Sequence, residues 1–395
     1  MKILVVVTHF PYPENRGDAV RVGMFLRSLA KIAEVKLYSV ISPDVTSEQI
    51  AIFQKNLGVE VSTFHHPALR LNFWGKVTRV FYSILKITPS WILVKFSKDL
   101  SCKLKSLKMS DFDQVFLLGE AAGIYAKNVS NTHIHWDRTN ILTKSLANSL
   151  KSLKLSGRFR DKINLHITRR FELRTLKIID SASVTSLEES RNFFDLCDRI
   201  TPYVLPSRVP FRDFRSDYNP RSKKIIWLGS LDYLPNSRGL IKFLDECVNI
   251  LRESGFTLLV VGNGTASKDL LRISNQNLSI EFLGYLENLQ DVAGDVCAAI
   301  VPVWEGAGVK MKTLTLISLG IPVVSTPCGM EGIPNNLALG VYDSSVDLLK
   351  AVINATAPQL LNSRELILNY SKSFMGDEKF LEDLKIMIST MPKRG

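Results

Sequence analysis

An α/β fold made of two parallel-sheet domains is predicted by three observations. Short β-branched runs alternate with helical stretches, the alternation stops at a polar segment, 208–222, and restarts beyond it, and glycine-rich turns follow several strand-like runs. At 395 residues the chain is long enough for two domains with full cores. Hydrophobic content of 46% and charged content of 22% are those of a globular protein, which excludes fibrous and disordered classes. Two Rossmann-like halves bind ligands at the carboxyl ends of their strands, so the expected architecture is a pair of such domains facing each other across a cleft.

The elements follow in order. MKILVVVTHFPYPENRGD begins with an apolar run that is too short for a signal peptide, lacks a small-residue cleavage site and enters a Pro-Gly loop, so Lys2 to Thr8 is read as the first buried strand. A helix is expected over Arg16 to Ile32, then strands at Val35 to Val40 and Val59 to Phe64, a basic helical region, and strands at Gln114 to Leu118, His133 to Trp136 and Ala182 to Thr185. Helix Leu187 to Leu196 and YVLP at 203–206 complete the half. The apolar stretch Val80 to Phe96 is interrupted by Lys86, Pro89 and Lys95 and cannot span a bilayer. After the linker, KKIIWLGS, FTLLVVGNG, Leu278 to Leu283 and Asp295 to Val303 read as strands and Asn236 to Leu251 as a helix. The expected division is 1–207, a linker 208–222, 223–370, and a helix in 371–395 that packs back on the first domain.

Charge divides the chain unevenly. Residues 1–205 carry 30 Lys and Arg against 18 Asp and Glu, whereas 206–395 carry 20 of each, so the whole net charge of +12 lies in the first half. Between His65 and Lys108 nine cations, including Arg70, Lys76, Arg79, Lys86, Lys95 and Lys98, face the single acid Asp99 and are interleaved with Phe73, Trp74, Phe81, Tyr82, Trp91 and Phe96. Between Arg138 and Lys177 eleven cations face Asp161 and Glu172. Such stretches are solvated helix faces or a surface for anionic lipid; no recognition motif points to nucleic acid. Five cysteines at scattered positions, with no CxxC, fit a reducing cytoplasm rather than a disulfide framework, and peripheral contact with the inner face of a membrane through 65–108 and 138–177 is the expectation that goes with it.

The most informative stretch runs from Trp304 to Ile333, WEGAGVKMKTLTLISLGIPVVSTPCGMEGI. An apolar strand, Val296 to Val303, leads into a glycine loop and then into a helix, Lys312 to Leu319, closed by Gly320. That is a phosphate-binding layout: Gly306 and Gly308 let the backbone approach a ligand, the helix start offers unpaired N–H groups, and Lys310 and Lys312 add cations. Short glycine loops also serve as plain strand–helix turns.

The order loop, Lys-x-Lys, helix, Gly, PVVST, CGMEG resembles the donor-sugar nucleotide site of GT-B glycosyltransferases of the family 4 type, whose pattern is close to GxGxRxKxxEAMAxGxPVVxTxxGxEG. The match covers Gly306, Gly308, Lys310 in the Arg position, Lys312, Gly320, Pro322 to Thr326, Gly329, Glu331 and Gly332. LGSLDYLPNSRGL at 228–240, VVGNG at 260–264 and FLGYLENLQDV at 282–292 resemble further donor-domain segments, and PYPENRGDAVR at 11–21 resembles the first loop, in which Gly17 sits near the donor phosphates. Two positions depart: the ribose-binding glutamate is Thr315, and its acidic partner position eight residues earlier is Ala307.

The resemblance implies a GT-B fold and transfer of a sugar from a nucleotide-diphosphate donor to a glycan or lipid-linked acceptor in cell-surface polysaccharide assembly. Family members are generally retaining. Lys310 and Lys312 are the expected diphosphate cations, with Arg238, Gly229 and Thr315 also on the donor side. Glu331 lies near the sugar in that layout or serves as a capping carboxylate. On the acceptor side His9, just past the first strand, is a candidate general base, and Asp137 and Glu120 follow other strands of the same sheet; His133 and His135 alternate with apolar neighbours, so one is expected to pack inside. No HExxH or Cys/His ligand spacing implies a metal, and no cofactor is implied beyond the donor substrate. Two other functions stand beside this one: a non-catalytic scaffold, because of Thr315 and Ala307, and a sugar-nucleotide epimerase, in which the basic half would have no role.

Overall fold

The computed structural model describes residues 1–14, 16–66, 82–83, 85, 87–151, 158–210, 218–275, 279–306 and 308–392. The chain divides into two units, Met1–Pro206 with Phe380–Gly395, and Ser207–Lys379.

The first unit is built on a seven-stranded sheet of β1 (Lys2–Val7), β2 (Glu34–Ile41), β3 (Glu60–His65), β4 (Gln114–Leu118), β5 (His133–Asp137), β6 (Ser181–Val184) and β7 (Tyr203–Val204), in the order β3-β2-β1-β4-β5-β6-β7 with every pair parallel. A central parallel strand is covered on both faces, which is why β1 is an unbroken apolar run and not an alternating one. Chain order reverses between β1 and β4, so the loops leaving these two strands open a crevice at their carboxyl ends. Helices α1 (Gly17–Ala30), α2 (Ser47–Leu57), α3 (Ser90–Val94), α4 (Lys98–Ser106), α5 (Leu142–Lys151), α6 (Arg158–Leu176) and α7 (Leu187–Phe194) belong to this unit. Of the basic region, residues 67–81, 84, 86 and 152–157 lie outside the described residues, among them Arg70, Phe73, Trp74, Lys76, Arg79, Phe81, Lys86 and Lys154.

The second unit has six parallel strands, β8 (Lys224–Leu228), β9 (Thr257–Val261), β10 (Ile280–Gly284), β11 (Ala298–Val301), β12 (Val323–Ser325) and β13 (Gly340–Val341), ordered β10-β9-β8-β11-β12-β13. Its helices are α8 (Leu234–Ser254), α9 (Lys268–Asn275), α10 (Gln290–Ala293), α11 (Met311–Ser318), α12 (Ser345–Ile353) and α13 (Ala357–Phe374). The reversal here falls between β8 and β11, so the loops 229–233 and 302–310 share one switch point. Strand β11 is shorter than the apolar run suggests because Pro302 cannot donate to a ladder. Helix α8 begins two residues before Asn236, with Pro235 in its first turn, where no N–H is required.

The segment 208–222 differs from a free linker at its described ends; residues 211–217 lie outside the description. Arg208 is buried, with its guanidinium 4.6 Å from the Phe374 ring centroid, and Tyr218 donates to the Cys297 carbonyl at 2.6 Å, so both ends are packed within the second unit. After α13 the chain turns at Gly376 into α14 (Asp377–Thr390), whose Phe380, Leu384 and Met387 lie in the first unit's core; Phe380 meets Phe25 edge-on at 5.1 Å. No described helix is long and apolar enough to cross a membrane.

Candidate functional site

The glycine loop between β11 and α11 is the centre of the second unit's candidate site. Gly306 (φ 118°) and Gly308 (φ 75°) adopt left-handed backbone, which side-chain-bearing residues avoid; Ala307 lies outside the described residues. Lys310 precedes α11 with extended backbone and offers no side-chain acceptor to the helix, so the first amides of α11 are not covered by a cap. Its ammonium turns back to the Gly308 carbonyl (2.6 Å) and pairs with Glu331 Oε2 (2.9 Å), a half-buried carboxylate just after the turn Cys328–Met330. Glu331 is thus a counterion to the loop's first lysine, a role neither of its sequence readings contained.

Lys312 extends the other way. Its Nζ donates to Asn236 Oδ1 at 2.7 Å and lies 5.5 Å from the Trp227 ring centroid. Burial first, and the neighbouring Lys310 cation second, pull the Lys312 ammonium down to about 7. Asn236 stands in the first turn of α8, whose N-cap, Tyr233, likewise makes no side-chain capping hydrogen bond. The uncapped start of α11 and the first turn of α8, where Pro235 has no N–H and the Asn236 amide is bonded to the Tyr233 carbonyl, therefore meet at Lys312 beside Lys310, an arrangement that favours an anion. Close packing holds it: a Cβ on Gly239 of α8 would lie 2.1 Å from the Pro302 carbonyl oxygen, so this helix is seated directly on the exit of β11.

The remaining donor-side candidates divide. Gly229 ends the β8 exit beside Asn236, inside the site. Arg238 is exposed and reaches Glu305 at 3.3 Å, on the rim. Thr315 is half-buried, with its hydroxyl donating to the Met311 carbonyl one turn back at 3.0 Å, so it offers no carboxylate and spends its proton on its own helix. Gly17 opens α1 in the first unit.

In the first unit the three acceptor-side candidates have different fates. His9 follows β1; its Nε2 lies 3.5 Å from Asp18 Oδ2, and burial, partly opposed by Asp18, lowers its pKa and leaves it neutral at pH 7. Burial pushes the Asp18 carboxyl up, but the Arg16 hydrogen bond and the nearby cations outweigh it and bring the group to about 2. Glu120 Oε1 accepts from the Thr139 and Asn140 amides at 3.0 and 2.9 Å and from the Thr139 hydroxyl, which ties it to the loop after β5. Asp137 is 1% exposed, accepts from Arg21 at 2.8 and 2.6 Å and from the Ser183 hydroxyl at 2.6 Å. Asp137, expected to touch the reacting sugars, stands at the end of a central strand and faces α1, where Arg21 closes over it.

His135 is likewise interior, bonded through its two ring nitrogens to Ser181 and Ser183, and burial lowers it to about 3. Arg138, counted above in the basic segment, is fully buried against Glu172, whose carboxylate also receives the Leu142 and Thr143 amides. Sequence reasoning missed Asn236, although it lies in the quoted Pro-Asn pair; a short amide side chain in the first turn of a helix that follows a glycine turn was the available signal.

Comparison with known proteins places this geometry. Residues 222–357, the segment that contains both helix starts and both lysines, match the family described as Glycosyl transferases group 1. An "Uncharacterized 44.6 kDa protein in cps region" of Klebsiella pneumoniae is 24% identical over 394 residues, covering 95% of this chain and 92% of that one. Anabaena HepE in complex with UDP superposes with a TM-score of 0.66 at 11% identity, covering 99% of this chain and all of that one. A S. aureus TarM variant in complex with Fondaparinux, alpha-GlcNAc-glycerol and UDP superposes at 0.69 with 10% identity, covering 98% and 100%. The chain therefore has the GT-B fold, and residues 222–357 of its second unit match the glycosyl transferases group 1 family.

Proposed function

We propose that this protein transfers a sugar from a nucleotide-diphosphate donor to a glycan or lipid-linked acceptor in cell-surface polysaccharide assembly. The observation that carries the reading is the convergence of Lys310, Lys312 and two uncapped helix starts at the glycine loop, within the segment that matches the glycosyltransferase family. Sugar transfer requires stabilisation of the negative charge that builds on the departing diphosphate, and lysines with fixed N–H dipoles supply it where it develops. The UDP bound by HepE, the UDP and GlcNAc-glycerol bound by TarM, and the cps-region relative support the donor and acceptor classes. Retention of configuration and independence of metal belong to the same proposal.

On the acceptor side, His9 at the carboxyl end of β1 is the candidate that keeps some solvent access, with 18% of its side chain exposed. Contact with the inner face of an anionic membrane is part of the proposal. It is supported by exposed Lys98, Lys103, Lys105 and Lys108 along α4 and its exit, by exposed Trp91, by exposed Arg160, Lys162, Arg169, Arg170 and Arg174 on α6, and by exposed Lys177 just after it.

The test is nucleotide binding followed by transfer. UDP, GDP, dTDP, ADP and CMP are screened for thermal stabilisation of the wild type and of Lys310→Ala. One nucleotide should stabilise the wild type, with affinity roughly ten- to a hundredfold lower in the variant. Its sugar conjugate should then label a membrane-extracted acceptor. Absence of any nucleotide effect refutes the donor site. The hydroxyl of Thr315, turned to its own helix, favours a second reading in which the protein binds a nucleotide sugar as a non-catalytic subunit; binding without turnover on any acceptor would select it.

A further inference from the structure

We infer that Asn236 is a positioning residue for the donor's diphosphate: its side-chain oxygen holds the Lys312 ammonium where the two helix starts meet, without neutralising it. The inference rests on the nucleotide-sugar reading of this site. The amide is fixed from both ends, since Nδ2 donates to the Ser230 carbonyl at 3.1 Å while Oδ1 accepts from Lys312 at 2.7 Å. It has little room to swing, because a Cβ on Gly229 would lie 2.9 Å from Nδ2.

The contrast with Lys310 carries the argument. Lys310 has a carboxylate partner, Glu331 at 2.9 Å, whereas among the described residues no carboxylate pairs with Lys312. An amide oxygen supplies a directed dipole and no countercharge, so the charge of the protonated lysine is not cancelled before an anion arrives. A carboxylate at 236 would hold the lysine as firmly, cancel its charge and meet the diphosphate with a like charge. The other groups facing Lys312 are Lys310 at the start of its own helix, Cys328 from the turn after β12, and the Trp227 indole from β8. With its pKa brought to about 7, Lys312 must take up a proton to serve an anion at higher pH.

The experiment is calorimetric binding of UDP, GDP, dTDP and ADP between about pH 6 and about pH 9 to the wild type, Asn236→Asp and Asn236→Ala. For the wild type, affinity should fall as pH rises above about 7, by up to about tenfold per pH unit. Asn236→Asp should bind about tenfold or more weakly near neutrality with a flat pH profile, because its carboxylate keeps Lys312 protonated. Asn236→Ala frees the ammonium to reach water, which should move the fall in affinity to higher pH. A purely structural role would lower thermal stability and leave the pH profile in place. Unchanged affinity and profile in both variants would overturn the positioning role alone, and no nucleotide binding to the wild type would overturn the donor site and this role together.

Discussion

Asp137 separates a catalytic reading from a structural one in a single measurement. Its side chain is 2% exposed and that of Arg21 is 3% exposed; two hydrogen bonds join them at 2.8 and 2.6 Å, a third comes from Ser183, and Arg21 also donates to the Leu205 carbonyl at 3.0 Å. Removal of one partner from such a pair costs about 3 to 5 kcal/mol, because the other charge stays buried without compensation. Against a total stability of about 5 to 15 kcal/mol, Asp137→Ala should bring the first unit close to unfolding, and Asp137→Asn, which keeps one acceptor oxygen, should lose a smaller share. At about 2 to 4 °C per kcal/mol for a unit of this size, the alanine variant should melt about 6 to 20 °C lower. Differential scanning calorimetry or guanidinium unfolding of the full chain reads this directly. A variant that keeps its melting temperature within about 2 °C while losing transfer activity would refute the structural assignment and return Asp137 to the reaction.

Two further changes test the second unit. Gly239→Ala puts a methyl group 2.1 Å from the Pro302 carbonyl oxygen, so α8 must move off the exit of β11; a loss of about 1 to 3 kcal/mol together with weaker nucleotide binding is expected in chemical denaturation and calorimetry, and unchanged stability would show that the contact yields freely. Thr315→Glu restores an acidic side chain at the position where the family resemblance places a ribose contact and removes only a hydroxyl bond within α11, so donor affinity should rise by about tenfold in titration calorimetry; no gain would mean that the ribose lies elsewhere in this protein.

The resemblance and the strand–helix alternation were enough to identify the fold, because buried parallel strands leave continuous apolar runs and their exits need glycine: KILVVV, QVFLL, KIIWL and TLLVV are strands where expected. The same local chemistry made the glycine loop at Gly306 and Gly308, with Lys310 and Lys312 after it, legible as a turn from strand to helix. Polar side chains at strand ends were harder to assign. His135, Asp137 and Arg138 occupy neighbouring positions that sequence alone leaves open between cleft and core, and their fate depends on Ser183, Arg21 and Glu172, which lie 34 to 116 residues away. Likewise Glu331 and Asn236 acquire their roles by meeting lysines 21 and 76 residues distant. Strand periodicity and turn chemistry are properties of neighbours along the chain and were determined by the sequence itself; which charge is compensated, and by what, is a matter of distance in space, and only the tertiary structure decided it.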